Sequence, residues 1–266
     1  MNEELDSKHG VQSLEIGMQI LRAIVDGQRS MMLKDIAVAT AMTPSKVHRY
    51  LVSLIRSGLV EQDSMSSRYD LGPFALNAGL VALNRLDRVR LGMTAIGQLR
   101  DEINQTTALA VWGDRGPVIV RWERPRRPIT VNVITGTAVG LLTTAVGRVF
   151  AAWMPKKTVA PIIDDELKAG KVPPELKTKA AIDALLTKVR CQGYASIEGS
   201  HEVPGVEAVA VPVFNFKNEI TMALLVVGVQ GMLDLHPEGA VVPILRQYAN
   251  ELSHRLGAQD ISGEAA

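Results

Sequence analysis

Five polar side chains between Ser45 and Arg56 carry the clearest chemistry in this chain. Ser45, Lys46, His48, Arg49 and Arg56 offer hydrogen-bond donors, and Lys46, Arg49 and Arg56 add positive charge. They interleave with Val47, Leu51, Leu54 and Ile55, whose helical spacing makes one apolar face. A helix divided in this way packs on a small core by one side. Its other side offers donors to the phosphates and base edges of a duplex, which is the chemistry of nucleic-acid recognition.

The neighbouring residues supply what must position such a helix. Thr43 can N-cap it, Pro44 stands where a missing N–H costs nothing, and Gly58 can end it. A shorter helix precedes it, over about residues 34–40, with Ile36 and the small Ala37 available for packing. Leu59 and Val60 begin a strand, Ser64, Met65, Ser66 and Ser67 are turn-like, and Tyr69 and Leu71 lie on the return strand. Arg68, at the base of that hairpin, is placed to reach a phosphate. Helix, turn, helix and hairpin in this order predict a winged helix-turn-helix. Its expected DNA-binding residues are Lys34, Thr43, Ser45, Lys46, His48, Arg49, Arg56 and Arg68. The plainer alternative is a capped helix and hairpin inside any α/β domain.

Upstream, Leu14, Met18, Leu21 and Val25 predict a helix over residues 11–26 that packs on the reader, with Gly17 at a close approach. Downstream, Pro73 opens a helical stretch over about residues 74–88. Its small face of Ala75, Ala78, Gly79 and Ala82 lets a second copy come close, so it reads as a linker and dimerisation helix. Packing within one subunit is the alternative.

The remainder predicts a helix to Asn104 and a hairpin of residues 108–112 and 118–122 around Gly113-Asp114-Arg115-Gly116. Then come a strand at 129–134, a helix from Thr143 or Thr144 to Trp153 and an irregular stretch at 161–174. A helix to about Gln192, strands near 194–197, 206–213 and 220–229, and a last helix over 237–256 complete it. Strands grouped with hairpins among helices predict an α+β class with an antiparallel sheet.

Composition sets limits. The 266 residues allow roughly two domains. The hydrophobic share of 47% is enough for a real core, and a net charge of +1 gives no global basic signature. DNA affinity must then come from local placement of cations and from dimerisation. The single cysteine, Cys191, excludes an intrachain disulfide framework. Residues 1–10 are polar and acidic and do not read as a signal peptide, and no apolar run is long enough to span a membrane, so a cytoplasmic location is expected. Disorder is expected in the first residues and from Gln259 onward.

These motifs together resemble the IclR-type bacterial transcriptional regulators. Ser45, Val47, His48, Arg49 and Leu51 are similar to that family's recognition-helix core, and Gly58-Leu59-Val60 and Arg68-Tyr69-Asp70-Leu71-Gly72 to its wing and wing exit. Two residues depart from the pattern. Ala41 stands where the turn often has glycine, which predicts a turn that avoids positive φ. Lys46 replaces a frequent threonine and adds a charge at a DNA-facing position. The second part resembles the family's GAF-like effector domain through Gly136 with Leu141, Thr144-Ala145-Val146-Gly147, Gly193-Tyr194-Ala195, Gly205-Val206, Ala210-Val211-Pro212-Val213 and the segment Leu252-Ser253-His254-Arg255-Leu256-Gly257. The order and spacing of these landmarks, over about residues 11–257, carry the resemblance.

The resemblance implies a ligand cavity between the sheet and the helix that begins near Thr144, with Ala145 and Val146 offering backbone N–H groups to an anion. Glu198 matches an acidic pocket position. Ala208 lies where relatives often have cysteine, and Leu225 and Val227 where members that take small polar acids have hydroxyls. An organic acid with one polar head and an aromatic or otherwise largely apolar body is the expected effector. The alternative is that Leu225 and Val227 are plain core, or that the pocket is collapsed.

Enzyme chemistry finds little support. There is no glycine-rich phosphate loop, paired-cysteine zinc pattern or serine elbow. His9, His48, His201, His236 and His254 are scattered. His201 with Glu202 reads as a surface pair, and Cys191, near Lys188 and Arg190, as a structural cysteine at a helix end. The expectation is a DNA-binding domain at 1–72, a linker helix at 73–88, an effector domain at 89–258 and a tail at 259–266. Its partners are a pseudo-palindromic promoter operator in double-stranded DNA, a small organic acid and a second copy, as homodimer or homotetramer. No cofactor, metal or membrane is called for. A sensor module that does not bind DNA is the first alternative, and a hydrolase-type enzyme the last.

Overall fold

The computed structural model describes residues 10–27, 29–85, 87–125, 135–136, 138–170, 172–199 and 205–259. The chain divides into two compact units, residues 1–86 and 87–266.

The first unit contains α1 (Gln12–Asp26), α2 (Leu33–Ala39), α3 (Pro44–Arg56), β1 (Val60–Gln62), β2 (Tyr69–Leu71) and α4 (Pro73–Arg85). Its core joins Ile20 and Ile24 of α1, Ile36 and Ala37 of α2, and Val47 and Leu51 of α3, with Val60 and Tyr69 closing it from the hairpin. The buried stripe of α1 is Gly17, Ile20, Leu21 and Ile24. Leu14, Met18 and Val25 are exposed, against the expected stripe. Two apolar stripes run along this helix, both at helical spacing, and only the core decides between them. Gly17 is buried, but an added Cβ there meets only Tyr50 Cδ1 at 3.8 Å, so no close approach requires glycine.

The helix ends explain the turn. At α3, Thr43 Oγ1 accepts the Lys46 N–H at 3.4 Å. At its other end Gly58 takes φ +72°, its amide donates to Ile55 O at 2.9 Å and that of Leu59 to Leu54 O at 3.0 Å. This is a Schellman closure. Helix α2 closes in the same way with alanine in the glycine position: Ala41 has φ +52°, its amide reaches Val38 O at 3.2 Å and that of Met42 reaches Ala37 O at 3.0 Å. The turn therefore does not avoid positive φ. Two satisfied carbonyls and the buried Ile36 and Ala37 hold an L-residue where it is strained by about 1–2 kcal/mol. The hairpin β1–β2 pairs Val60 with Leu71 and Gln62 with Tyr69, and Met31 bridges Tyr69 from outside.

The second unit runs α5 (Arg88–Ile103), β3 (Thr106–Gly113), β4 (Gly116–Glu123), α6 (Ala145–Trp153), α7 (Lys156–Lys168), a 3-10 turn (Pro174–Leu176), α8 (Lys179–Gln192), β5 (Ala195–Glu198), β6 (Val206–Phe214), β7 (Ile220–Val229) and α9 (Val242–Arg255). The strands form one antiparallel sheet in the order β4-β3-β7-β6-β5. Helix α6 lies on one face, backed by α8, while α5 and α9 cover the other. The faces follow the period of two: Ala108, Ala110, Ala208, Ala210, Ala223, Leu225 and Val227 share a buried cluster with α6. On the other face, Gly92 of α5 packs against Leu109 and Met222, and the Thr107 hydroxyl donates to Ile96 O at 2.8 Å. The α+β class with an antiparallel sheet is what forms.

Three expected boundaries change. The stretch expected to be irregular from 161 contains most of α7, with Pro161 inside the helix. Pro161 leaves one intrahelical bond unmade, and burial of Val159 and Ile163 on either side of it outweighs that loss. The linker helix α4 ends at Arg85, and α5 starts anew at Arg88 behind an Asp87 cap. The last helix begins at Val242 instead of 237, because side chains claim the preceding amides. The buried Glu207 carboxylate accepts the N–H groups of Gly231 and Met232, each at 3.0 Å, and of Leu233, while Asp234 takes those of His236 and Ala240. The expected strand at 129–134 lies outside the described residues, as do the first nine residues and 260–266. Gln259, expected to start the tail, donates its amide to Asn218 Oδ1 at 3.3 Å.

Replacing Ala41 with glycine relieves the left-handed alanine. Ala41→Gly is expected to raise the unfolding free energy by about 0.5–1 kcal/mol, after the extra freedom of glycine in the unfolded chain is subtracted. A lower denaturant midpoint for the variant would contradict that strain.

Candidate nucleic-acid interface and ligand site

Helix α3 buries Val47, Leu51 and Leu54 and leaves Ile55 at the margin, 36% exposed. Ser45, His48, Arg49 and Arg56 are exposed and fall at helical spacing on the opposite side, with the half-buried Lys46 beside them. The helix carries no aspartate or glutamate. Thr43 and Lys34 are exposed near its start. The five ion pairs among the described residues all lie between residues 87 and 168. Lys34, Lys46, Arg49 and Arg56 thus keep their charge available for a polyanion. Arg68 differs from them: its Nη1 donates to Ser30 O at 2.9 Å, which ties the hairpin to the segment before α2. Its guanidinium stays exposed, so the same side chain braces the hairpin and presents charge. The hairpin tip is closed by Asp63, which accepts the Met65 amide at 2.9 Å and the Ser66 hydroxyl at 2.7 Å. Those bonds hold the Asp63 carboxyl below its ordinary pKa.

In the second unit, the approach to α6 is very tight. A Cβ on Gly147 would stand 1.9 Å from Gly140 O, so only glycine fits. Thr144 caps the helix, accepting from the Gly147 amide at 2.9 Å and donating to Gly140 O at 2.7 Å. One turn earlier, Glu166 of α7 accepts the amides of Leu141 at 2.5 Å and Leu142 at 3.0 Å. The amides of Ala145 and Val146, at the first two helical positions, find no acceptor among the described residues, although both residues are buried. Buried orphan donors at a helix start are the arrangement that favours an anion. Arg148 steadies this end, donating from Nε to Leu142 O at 3.0 Å and from Nη1 to Ser196 O at 3.2 Å on the edge strand. Burial pulls its pKa below the ordinary arginine value, and the negative charge of Glu175 acts in the opposite direction.

The sheet beneath is apolar and finely graded. Ala208 pairs with Val227, Ala210 with Leu225, and Leu225 with Ala108. Ala145, Val146, Ala208, Leu225 and Val227 all belong to one buried cluster, with Thr144 half-buried at its margin. Glu198 does not join them. It is exposed and stands opposite Glu207 in register, on the far face of the sheet. The period of two turns it away from Ala208, whose partner on that strand is Ile197. Cys191 is exposed at the end of α8, so it is no buried structural cysteine. His201 and Glu202 lie outside the described residues. Sequence reading missed Glu166, Arg148 and Trp122. The Nε1 of Trp122 is buried with no partner among the described residues, and the side chain packs against the same cluster. Neither spacing nor composition marks these residues, since their partners come from distant segments. Among the described residues no group of three or more His, Cys, Asp or Glu is placed to hold a metal ion, and no helix is long and apolar enough to cross a membrane.

Comparison with known proteins agrees with both halves. Residues 13–64 match the IclR helix-turn-helix domain and residues 81–254 match the bacterial transcriptional regulator IclR C-terminal domain. The glycerol operon regulatory protein of Streptomyces griseus is 30% identical over 258 residues, 93% of this chain and 97% of that protein. The crystal structure of Pseudomonas aeruginosa HmgR superposes with a TM-score of 0.84 at 36% identity, covering 94% of this chain and 100% of the other. An IclR homolog from Microbacterium hydrocarbonoxydans, complexed with 4-hydroxybenzoate, shares the fold at a TM-score of 0.53 and 17% identity, over 92% of this chain and 99% of that one. The chain belongs to the IclR family of bacterial transcriptional regulators. It is a DNA-binding regulator of transcription, not an enzyme.

Arg49 is the most direct test of the DNA face. Arg49→Ala is expected to weaken DNA binding without changing thermal stability. If Arg49 holds a phosphate, the slope of log K against log salt falls by about one and all sequences lose alike; if it reads a guanine, one base position loses about 1–3 kcal/mol of discrimination. Unchanged affinity in a folded variant removes Arg49 from the interface.

Proposed function

We propose that the protein is a ligand-responsive regulator that binds a pseudo-palindromic operator as a homodimer or dimer of dimers, acts in the cytoplasm, and is modulated by a small, largely apolar organic acid. The DNA-binding residues are Lys34, Thr43, Ser45, Lys46, His48, Arg49, Arg56 and Arg68, within residues 1–72. The effector is held by Thr144, Ala145, Val146, Ala208, Leu225 and Val227, within residues 89–258.

One observation carries the effector reading: the amides of Ala145 and Val146 find no acceptor among the described residues, and both residues are buried in one cluster with the apolar Ala208, Leu225 and Val227 of the sheet. A carboxylate satisfies both donors, each of which otherwise costs about 1–3 kcal/mol. The floor gives a small oxo-acid no hydroxyl to bond, while an aromatic body gains about 25 cal/mol per Å² buried. The Microbacterium protein of the same fold holds 4-hydroxybenzoate, an acid of that kind.

For assembly, helix α4 leaves Phe74, Leu76, Leu80 and Val81 exposed, and a Cβ on Gly79 meets nothing within 4 Å. A second copy of α4 is the partner that this apolar, small-residue helix fits, and two-fold symmetry matches a palindromic operator.

A thermal-shift screen tests the effector reading. A substituted benzoate at a hundredfold excess over its Kd is expected to stabilise the protein by about 2.7 kcal/mol, a rise in Tm of roughly 5–10 °C. Saturable stabilisation by pyruvate or glyoxylate, with none by any aromatic acid, contradicts it. Light scattering tests assembly: the protein is expected to be at least dimeric at micromolar concentration and Gly79→Leu to disrupt or distort the dimer. A monomeric wild type removes that mechanism.

A further inference from the structure

Trp122 poses a physical problem that the packing does not solve. It stands on β4 opposite Ala108, in the cross-strand row that continues through Leu225 and Ala210. Its ring packs against the cluster under α6, and its Nε1 is buried with no hydrogen-bond partner among the described residues. Buried tryptophan N–H groups ordinarily find an acceptor, and phenylalanine would fill a purely apolar site without stranding a donor.

The surroundings indicate where the acceptor comes from. The neighbours of Trp122 along the row are small or aliphatic: Ala108, Leu225 and Ala210. None offers a side-chain oxygen. The amides of Ala145 and Val146, in the same buried cluster, also find no acceptor among the described residues. Helix α6 lies chiefly over β6 and β7, and its first turn reaches β5 through Arg148 and Ser196 O. Trp122 therefore approaches from the opposite edge of the sheet. From Leu225 it is two strand spacings away, about 10 Å. A ring that reached along this row from the start of α6 would bring an oxygen on its far side toward Trp122.

We propose that Trp122 selects the effector by donating its indole N–H to an oxygen that the ligand carries away from its carboxylate. The inference rests on the effector reading above and narrows it, from largely apolar acids to aromatic acids bearing a ring hydroxyl or similar acceptor. Trp122 is a specificity residue: it leaves the acid to the α6 amides and discriminates at the other end of the molecule. A donor built into an apolar site favours the ligand that satisfies it over the analogue that does not, because the analogue leaves it unpaired.

Titration of the full-length protein with benzoate and the three monohydroxybenzoates, by calorimetry, tests this. The wild type is expected to bind the best hydroxybenzoate about tenfold tighter than benzoate, the worth of one buried hydrogen bond. In Trp122→Phe the ratio of the two affinities falls to within about twofold. In the wild type, the indole N–H resonance of Trp122 is expected to shift with the preferred hydroxybenzoate and not with benzoate, a readout that needs no folded variant. A preference that survives in Trp122→Phe, or an indole signal that does not move on saturation, overturns the role of Trp122 and leaves the effector reading standing. Failure of all four acids to bind the wild type overturns both.

Discussion

The second unit is organised around the contact between Gly147 and the carbonyl of Gly140. No side chain fits between them, so the loop ahead of α6 and the first turn of that helix are pressed together. Two consequences follow. The helix start is drawn under the loop and buried, and Thr144 and Glu166 are left to satisfy the amides within their reach. Thr144 takes the Gly147 amide and Glu166 takes those of Leu141 and Leu142. The amides of Ala145 and Val146, between them, find no acceptor among the described residues. On the effector reading proposed above, that electropositive helix start is where an acid is registered.

The first unit applies similar economy to DNA. Its core is small, and the caps at both ends of α3 fix the helix with local bonds. Its outward face is then free to be chosen for recognition alone. The ion pairs among the described residues leave the cations of α3 alone, so their charge is not spent within the protein. Arg68 shows the one compromise, bracing the hairpin through Ser30 while remaining exposed.

Local chemistry was legible in the sequence where it is self-contained. Thr43, Pro44 and Gly58 mark α3 because a cap and a closing glycine act within a few residues. The Thr144 cap of α6 is legible for the same reason. What the sequence concealed depends on distant partners. The two apolar stripes of α1 differ only in which meets α2 and α3. Ala41 looks like a residue that refuses positive φ, until the carbonyls of Ala37 and Val38 demand that conformation. Pro161 looks like a stop, until Val159 and Ile163 find a place to bury. Glu198 matched a pocket position by motif, yet the strand period sets it across the sheet from Leu225. Trp122, Glu166 and Arg148 carry no local signature, and only the fold reveals what each one meets or lacks.

The central claim is that the start of α6 is left unsatisfied in order to hold an acid. The amide resonances of Ala145 and Val146, followed by NMR as an aromatic carboxylate is titrated in, test it most directly. Both are expected to move downfield together on saturation, while the amides of Leu141 and Leu142, already held by Glu166, stay in place. Saturable binding that leaves Ala145 and Val146 unmoved, or that moves Leu141 and Leu142 in their stead, would contradict the account.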